Sequence, residues 1–314
     1  MIALNARAAA RPELGGVERY ARELSAHLDA TILRPPTALS HRAGHLWEQA
    51  VLPVRARRAD VLVNPANLAP LAFPRNVVII HDAAVLREPS WYSPSYVRWQ
   101  RAILPRVARR ALKVVTDSAF SRRELHELLG VEAEVVPGGV DHARFVPGRP
   151  RTDRPYVLTV ASLTARKNLA ALGETARRLA ADGIELLAAG GGRPQFQAED
   201  APIRRLGHVP DDELPALYAG ALAVVLPSLY EGFGLPCLEA MASGTPVVAA
   251  DRGALPETCG DAALLVDPAD QAAIAGAVQA AIGDATLRER GIAHAAGYSW
   301  ERTAGGIAGI IGSL

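Results

Sequence analysis

Short apolar runs alternate with longer amphipathic stretches along the whole chain of 314 residues, and this alternation constrains the fold more than any other feature. A brief β-branched run, a helix-length pattern and another such run make a βαβ unit, and repeated units build a parallel sheet covered by helices. In the first half the candidate strands are Ile2–Leu4, Val61–Val63, Val77–Ile80, Val114–Thr116 and Glu134–Val136, with helices expected at Val17–Leu28, Tyr96–Ala111 and Arg122–Leu129. The second half repeats the plan. Its strands are Tyr156–Val160, Glu185–Ala189, Ala223–Leu226, Pro246–Ala249 and Ala263–Val266, and its helices Asn168–Ala181, Glu213–Tyr218, Pro236–Ser243 and Gln271–Ile282. Between the halves, Val146–Pro155 (VPGRPRTDRP) holds three prolines, a glycine and three arginines and reads as a linker. Two α/β domains of about 150 residues each are expected.

Charge divides at the same place. Residues 1–150 carry 21 Arg and Lys against 14 Asp and Glu, a net of +7, whereas residues 151–314 carry 13 against 19, a net of −6. Three readings stay open: two domains of different surface character, attraction between the halves, or a basic first half that meets an anionic partner such as a membrane surface or a phosphate-bearing acceptor. Arg55, Arg57 and Arg58, with Arg101, Arg106, Arg109 and Arg110, would supply that charge. The overall net of +1 gives no sign of a nucleic-acid binder. Cys237 and Cys259 are too few for a disulfide scaffold or a cysteine zinc site, which suits a reducing compartment. The longest stretch free of Asp, Glu, Lys and Arg, Leu214 to Tyr230, has 17 residues broken by Pro215, Gly220 and Pro227, short of the roughly 20 apolar residues that span a bilayer. The first residues lack the pattern of a secretory leader. A cytoplasmic chain without a membrane span is expected.

The densest chemical signal is Pro227–Ala250, PSLYEGFGLPCLEAMASGTPVVAA. A strand ends at Leu226, a glycine-rich turn follows, and a helix starts near Pro236, where the missing proline N–H costs nothing. Gly232 and Gly234 let backbone N–H groups approach a ligand, and the helix start behind them favours an anion. Glu231 and Glu239 disfavour phosphate and suit neutral hydroxyls of sugar or ribose, whose hydrogen bonds they accept. Simple strand–helix punctuation with solvated glutamates is the competing reading.

The frame EGFGLPxLEAMAxGxPVV, with its Glu-x7-Glu spacing, resembles the retaining nucleotide-sugar glycosyltransferases of glycosyltransferase family 4. Other motifs occur in the order of that family: LGGVERY at Leu14–Tyr20, HD at His81-Asp82, SAFSRREL at Ser118–Leu125, VPGGVD at Val136–Asp141, ASLTARKNL at Ala161–Leu169, GHVPDDEL at Gly207–Leu214 and GDAALLVDP at Gly260–Pro268. The resemblance implies a GT-B fold, two Rossmann-like parallel-sheet domains facing across a cleft: an acceptor-side domain over residues 1–148, a donor-binding domain over 149–298, and a terminal helix over 299–314, capped at Ser299, that crosses back to the first domain. It is nearest to bacterial polysaccharide mannosyltransferases.

The resemblance also assigns roles. Arg166 and Lys167 match the basic pair that neutralises the donor diphosphate, a role with a physical basis because the departing nucleoside diphosphate gains charge. Lys167 is one of only two lysines, the other being Lys113. Glu239 is expected on the ribose hydroxyls and Glu231 on those of the transferred sugar. Gly232, Phe233, Gly234 and Leu235 would frame sugar and diphosphate, and Val209 with the Gly190–Gly192 turn would line the base pocket. From the first domain, Gly15 and Gly16 would approach the phosphates, His81 the reacting sugar, and Ser118 and Arg122 the acceptor side. The chain departs from the commoner pattern at Ala161-Ser162, where Gly-Arg is usual, and at Gly138, where asparagine is usual; Ala30–Ala59 is also compressed.

Absent motifs narrow the alternatives. The sequence contains no Asp-x-Asp pair, neither G-x-G-x-x-G nor G-x-x-x-x-G-K-[ST], and no cluster with metal-ligand spacing. Hydrolysis by Glu231 and Glu239 is disfavoured, since hydrolase carboxylates flank the bond they cleave. The expectation is a metal-independent, retaining hexosyltransferase with no cofactor, front-face chemistry and a mannosyl group as first choice. GDP-mannose is its first candidate donor and a hydroxyl, such as that of a lipid-linked saccharide at the inner membrane face, its acceptor. A nucleotide-sugar epimerase of the same fold and a nucleotide-sugar-binding protein without transfer are the alternatives.

Overall fold

The computed structural model describes residues 1–11, 15–36, 44–149, 153–191 and 203–314. Leu14 of the first glycine motif, Gly192 and the middle of the proline-rich segment lie outside the described residues. The chain forms two compact units. The first comprises Met1–Arg87, Pro94–Gly139 and Trp300–Leu314; the second comprises Glu88–Ser93 and Val140–Ser299.

The first unit is built on β1 (Ile2–Asn5), β2 (Thr31–Leu33), β3 (Val61–Asn64), β4 (Asn76–Ile79), β5 (Lys113–Thr116) and β6 (Ala133–Val135). All pair in parallel, in the order β2-β1-β3-β4-β5-β6. Buried Val78, Ile80 and Val114 pack against Leu104, Val107 and Ala108 of the helix Pro94–Arg110 and Leu125 and Leu129 of the helix Ala119–Leu129. The helix Trp300–Gly312 also belongs to this unit. Its Trp300 ring meets Tyr20 edge to face at 5.3 Å, and Thr303 Oγ1 donates to the Pro137 carbonyl at 2.8 Å.

The second unit carries β7 (Tyr156–Val160), β8 (Glu185–Ala189), β9 (Arg204–Gly207), β10 (Ala223–Leu226), β11 (Val247–Ala250) and β12 (Leu264–Val266). They are parallel in the order β12-β11-β10-β7-β8-β9. Side chains alternate between two cores, as a strand period of two requires. Leu158, Val224, Leu226 and Val247 join Tyr218, Leu238 and Met241 on one face, while Val157, Val225 and Val248 join Leu172, Leu179, Ile274 and Val278 on the other. Both faces are therefore covered, which is why these strands read as continuous apolar runs. The strand order reverses between β7 and β10, a switch point at whose carboxyl end doubly wound sheets bind ligands.

Three expectations about elements are corrected. The edge strands β2 and β9 escape the sequence pattern because a strand with one partner and partial exposure needs no apolar run: Thr31 is exposed, and so are Arg204 and Arg205. The helix expected at Asn168–Ala181 divides into 3₁₀ turns at Ala165–Lys167 and Leu169–Leu172 and an α-helix at Gly173–Ala181. Asn168 causes the break, since its φ of 53° is left-handed and cannot continue a right-handed turn. The helix expected at Arg122–Leu129 starts earlier, at Ala119, because Ser118 Oγ accepts the Ser121 N–H at 3.0 Å as its N-cap.

Candidate active site

In the second unit the motif residues gather at the switch point. Arg166 and Lys167 occupy the first turn after β7, and Glu231 lies in the turn after its neighbour β10. Their side chains meet. Lys167 Nζ is 2.5 Å from Glu231 Oε1, and Arg166 Nη1 is 3.4 Å from Glu231 Oε2 and 3.0 Å from the Tyr230 carbonyl. Ser228 Oγ donates to Glu231 Oε1 at 2.7 Å. Two cations and a hydroxyl thus converge on one carboxylate whose side chain is 7% exposed. Burial pushes the Glu231 carboxyl up, but the charges of Lys167 and Arg166 and the hydrogen bonds from Lys167 and Ser228 outweigh it and hold the group below the ordinary carboxylate range.

The backbone around Glu231 is fixed from three sides. Leu229 N–H donates to the Arg166 carbonyl at 2.9 Å, which ties the β10 turn to the β7 turn. Ala254 N–H donates to the Glu231 carbonyl at 2.9 Å. Gly253, with φ 64°, packs so closely that a Cβ there would lie 2.7 Å from Glu231 N and 2.8 Å from its carbonyl oxygen. The Asn168 carboxamide donates to the Pro227 carbonyl at 3.0 Å and the Pro268 carbonyl at 2.9 Å, so one side chain anchors the loops that follow three strands.

Gly234, at φ 114°, is the N-cap of the helix Leu235–Ala242, with Pro236 in its first turn. A Cβ on Gly234 would lie 2.8 Å from Leu255 Cδ2. The Phe233 carbonyl accepts Thr258 Oγ1 at 2.6 Å. This arrangement points the N–H end of the helix at the turn Gly232–Gly234. Glu239 lies further along the helix, buried, and accepts the Tyr218 hydroxyl at 3.0 Å. Gly190 ends β8 at φ 140°, where a Cβ would collide with the Ala161 carbonyl oxygen, so β7 and β8 leave the sheet side by side only because this residue is glycine. Val209 is half-buried against the same core as Leu226 and Phe233. Cys237 and Cys259 are buried free thiols. A hydrogen bond with Cys259 and burial push the Cys237 thiol up, far from reactive thiolate.

The candidates of the first unit lie at the carboxyl ends of its own strands. Gly15 is the N-cap of the helix Gly16–His27, and its N–H donates to Glu18 Oε2 at 3.1 Å, while Arg11 holds Glu18 Oε1 at 3.1 Å. Beyond β4, His81 has its Nδ1 2.5 Å from Asp117 Oδ2 and its Nε2 2.9 Å from the Pro65 carbonyl. Ser118 is buried as a helix cap and Arg122 is exposed one turn later.

Sequence reasoning assigned no site role to Ser228, Tyr218, Asn168, Asp117 or Tyr20. Ser228, Asn168 and Tyr20 lie inside quoted motifs, and Asp117 directly precedes one. Tyr218 sits inside an apolar helix pattern and is indistinguishable there from plain core. Among the described residues no group of three His, Cys, Asp or Glu side chains is placed to hold a metal ion, and no helix is long and apolar enough to cross a membrane.

Comparison with known proteins bears on the family and the fold. Residues 154–284 match the model of the glycosyl transferases group 1 family. The O-antigen chain mannosyltransferase B of Escherichia coli is 33% identical, over 76% of this chain and 70% of its own length. The MMP alpha-(1->4)-mannosyltransferase of Mycolicibacterium hassiacum is 34% identical over 65% of this chain, which spans only 55% of that relative. Anabaena Alr3699/HepE, solved in complex with UDP and glucose, superposes with a TM-score of 0.76 at 19% identity, covering 100% of both chains, a likeness of fold. With its two Rossmann-like sheets, its motif series and these relatives, the chain belongs to the glycosyl transferases group 1 family and is an enzyme of the hexosyltransferase class.

Proposed function

We propose that the protein transfers a mannosyl group from a nucleotide diphosphate sugar, with GDP-mannose the first candidate, to a saccharide hydroxyl, with retention of configuration and without a metal ion. The observation that carries this reading is the convergence of Lys167 and Arg166 on Glu231 at the switch point, beside the start of the helix Leu235–Ala242. When a donor enters, its diphosphate takes over the two cations and the helix N-terminus, and Glu231 turns to the hydroxyls of the sugar. As the sugar–phosphate bond breaks, charge builds on the leaving diphosphate, and fixed cations with a helix dipole stabilise it without reorganisation. Front-face substitution then needs no protein nucleophile, because an oxygen of the leaving diphosphate accepts the acceptor proton. Glu239, held by Tyr218, takes the ribose hydroxyls; Gly190 and Val209 border the base; Gly15, Gly16, His81, Ser118 and Arg122 serve donor and acceptor from the first unit. The two mannosyltransferases among the relatives support the choice of sugar.

The acceptor in this reading is a lipid-linked saccharide met at an anionic membrane face. Support comes from the first unit, where exposed Leu46 and Val54 stand with exposed Arg55, Arg57 and Arg58. The helix Pro94–Arg110 meets His45, next to Leu46, through the His45–Trp99 ring contact at 4.8 Å and exposes Arg98, Arg101, Arg106, Arg109 and Arg110. Basic side chains near an anionic bilayer contribute about 1 kcal/mol each.

Incubation with GDP-mannose, UDP-glucose and UDP-N-acetylglucosamine, with and without saccharide acceptors, tests the activity. Acceptor-dependent release of GDP, with the α-anomer retained in the product, is the expected result. Isomerised donor without acceptor would instead mark an epimerase, and tight binding without turnover a binding protein.

A further inference from the structure

His81 has an unusual set of neighbours. Its Nε2 faces the Pro65 carbonyl oxygen at 2.9 Å, an atom that can only accept, so Nε2 carries a hydrogen. Its Nδ1 faces Asp117 Oδ2 at 2.5 Å, where one further proton lies between ring and carboxylate. Ordinary acidities place that proton on the ring, since histidine exceeds aspartate by about 2.6 pK units. Both groups are buried, and Asp117 Oδ1 has no hydrogen-bond partner among the described residues, so His81 supplies the compensating charge that a buried carboxylate requires.

We propose that Asp117 is a positioning residue, which holds His81 as an imidazolium whose two N–H groups lock the carboxyl ends of β3, β4 and β5 into one rigid edge. Pro65 directly follows β3, His81 follows β4, and Asp117 directly follows β5. The His81 backbone is held as well: its N–H donates to Asn67 Oδ1 at 2.8 Å and its carbonyl accepts Ser121 Oγ at 2.9 Å. The ring packs edge to face on Tyr20 at 4.7 Å, and Tyr20 on Trp300 of the helix Trp300–Gly312, so the clamp touches the helix that begins within the first glycine motif.

The titratable groups facing the ring are the carboxylates of Asp117 and Asp82 and the phenol of Tyr20. Burial pushes His81 toward its neutral form, but the charge and hydrogen bond of Asp117, the Pro65 carbonyl and the charge of Asp82 outweigh burial and keep the ring protonated above the ordinary histidine value. Burial and the Asp117 charge keep the Tyr20 phenol neutral. With the folded value raised, the clamp is fully present below the ordinary histidine value, near 6.5, and is lost as pH rises through the higher folded value. A role in transfer rests on the reading that this edge of the first sheet receives a substrate group.

The test is nitrogen NMR of the full chain labelled at histidine, with the His81 signals assigned by their loss in His81→Gln. At neutral pH, above the ordinary histidine value of about 6.5, both ring nitrogens should keep imidazolium shifts. Asp117→Asn retains shape and an acceptor but removes the charge; the ring should then become neutral near neutral pH. The alkaline limb of kcat/KM with GDP-mannose should move down by about one pH unit, with about a tenfold loss at neutral pH, as for one lost hydrogen bond to a charged group. Asp117→Glu should restore the imidazolium. A neutral His81 ring in the wild type at neutral pH, or an imidazolium that persists in Asp117→Asn, overturns the proposal. If Asp117→Asn does not fold, the wild-type titration decides alone. NMR results as expected with an unchanged kcat/KM profile would uphold the clamp and overturn the substrate-facing reading of this edge.

Discussion

Lys167 and Glu231, 64 residues apart in sequence, place Nζ and Oε1 2.5 Å from each other with side chains 9% and 7% exposed. The pair exists because the chain crosses over β7 to lay β10 beside it, which brings the first turns after both strands to one point. A buried pair of this kind is costly to break from one side, since the remaining charge is left without its partner.

Replacing Lys167 with Met should therefore destabilise the fold by about 3 kcal/mol. The double variant Lys167→Met with Glu231→Gln should recover much of the loss, because no uncompensated carboxylate remains. Urea unfolding of the wild type and of the single and double variants gives the coupling, and strictly additive effects would contradict the pair. Transfer from GDP-mannose should fall by about a hundredfold or more in Lys167→Met, the scale seen when one fixed stabilising group is removed from a charged transition state.

Acid stability follows from the same contact. The Glu231 carboxyl is held below its ordinary value in the folded state, so its contribution is fully present above the unfolded value, near 4.3, and is lost as pH falls through the lower folded value. Glu231→Gln should flatten the acid limb of the melting temperature against pH and leave the slope near neutrality unchanged. An identical acid limb in both proteins would remove Glu231 as a linked group.

Gly253 and Gly283 both have positive φ, 64° and 80°, but only Gly253 lacks room for a side chain. Gly283→Ala should cost about 1 kcal/mol for the left-handed conformation alone. Gly253→Ala adds a clash with the Glu231 backbone and should cost at least twice as much, together with reduced donor affinity. Chemical denaturation and GDP titration measure the two effects, and equal costs would contradict the close approach.

Tyr218→Phe removes the hydroxyl that Glu239 accepts at 3.0 Å and leaves a buried carboxylate oxygen short of a donor. The expected loss is about 1–3 kcal/mol of stability. Donor KM should rise more than kcat falls, and the effect should shrink with a donor whose ribose lacks a hydroxyl. Steady-state kinetics with GDP-mannose and its deoxyribose analogue check this.

The central strands were legible because burial on both faces forces continuous apolar runs, as at Ala223–Leu226 and Val247–Ala250. The edges β2 and β9 were hidden for the opposite reason, as was the break at Asn168, where a single left-handed residue overrides a helical pattern. In the candidate site, Glu231, Glu239, Arg166 and Lys167 stood in recognisable motifs, yet their pairing depends on strand order, which no local window contains. Tyr218 carries no local signal, and Asp117 only its place directly before the Ser118–Leu125 motif. Their importance comes from what they touch, Glu239 and His81, and those contacts span 21 and 36 residues.

The two units interleave along the chain: Trp300–Leu314 completes the first and Glu88–Ser93 contributes to the second, where Trp91 meets Tyr230 at 6.3 Å between ring centres. Emerging from a ribosome, the residues of the first sheet are made early, but the helix that covers Tyr20 follows the whole second unit. The second unit has all its segments while the first still lacks its final one, so newly made chains pass through a stage in which Tyr20 and its neighbours are uncovered. A chain truncated after Ser299 would keep every segment of the second unit and lack Trp300, the ring that packs on Tyr20 in the first.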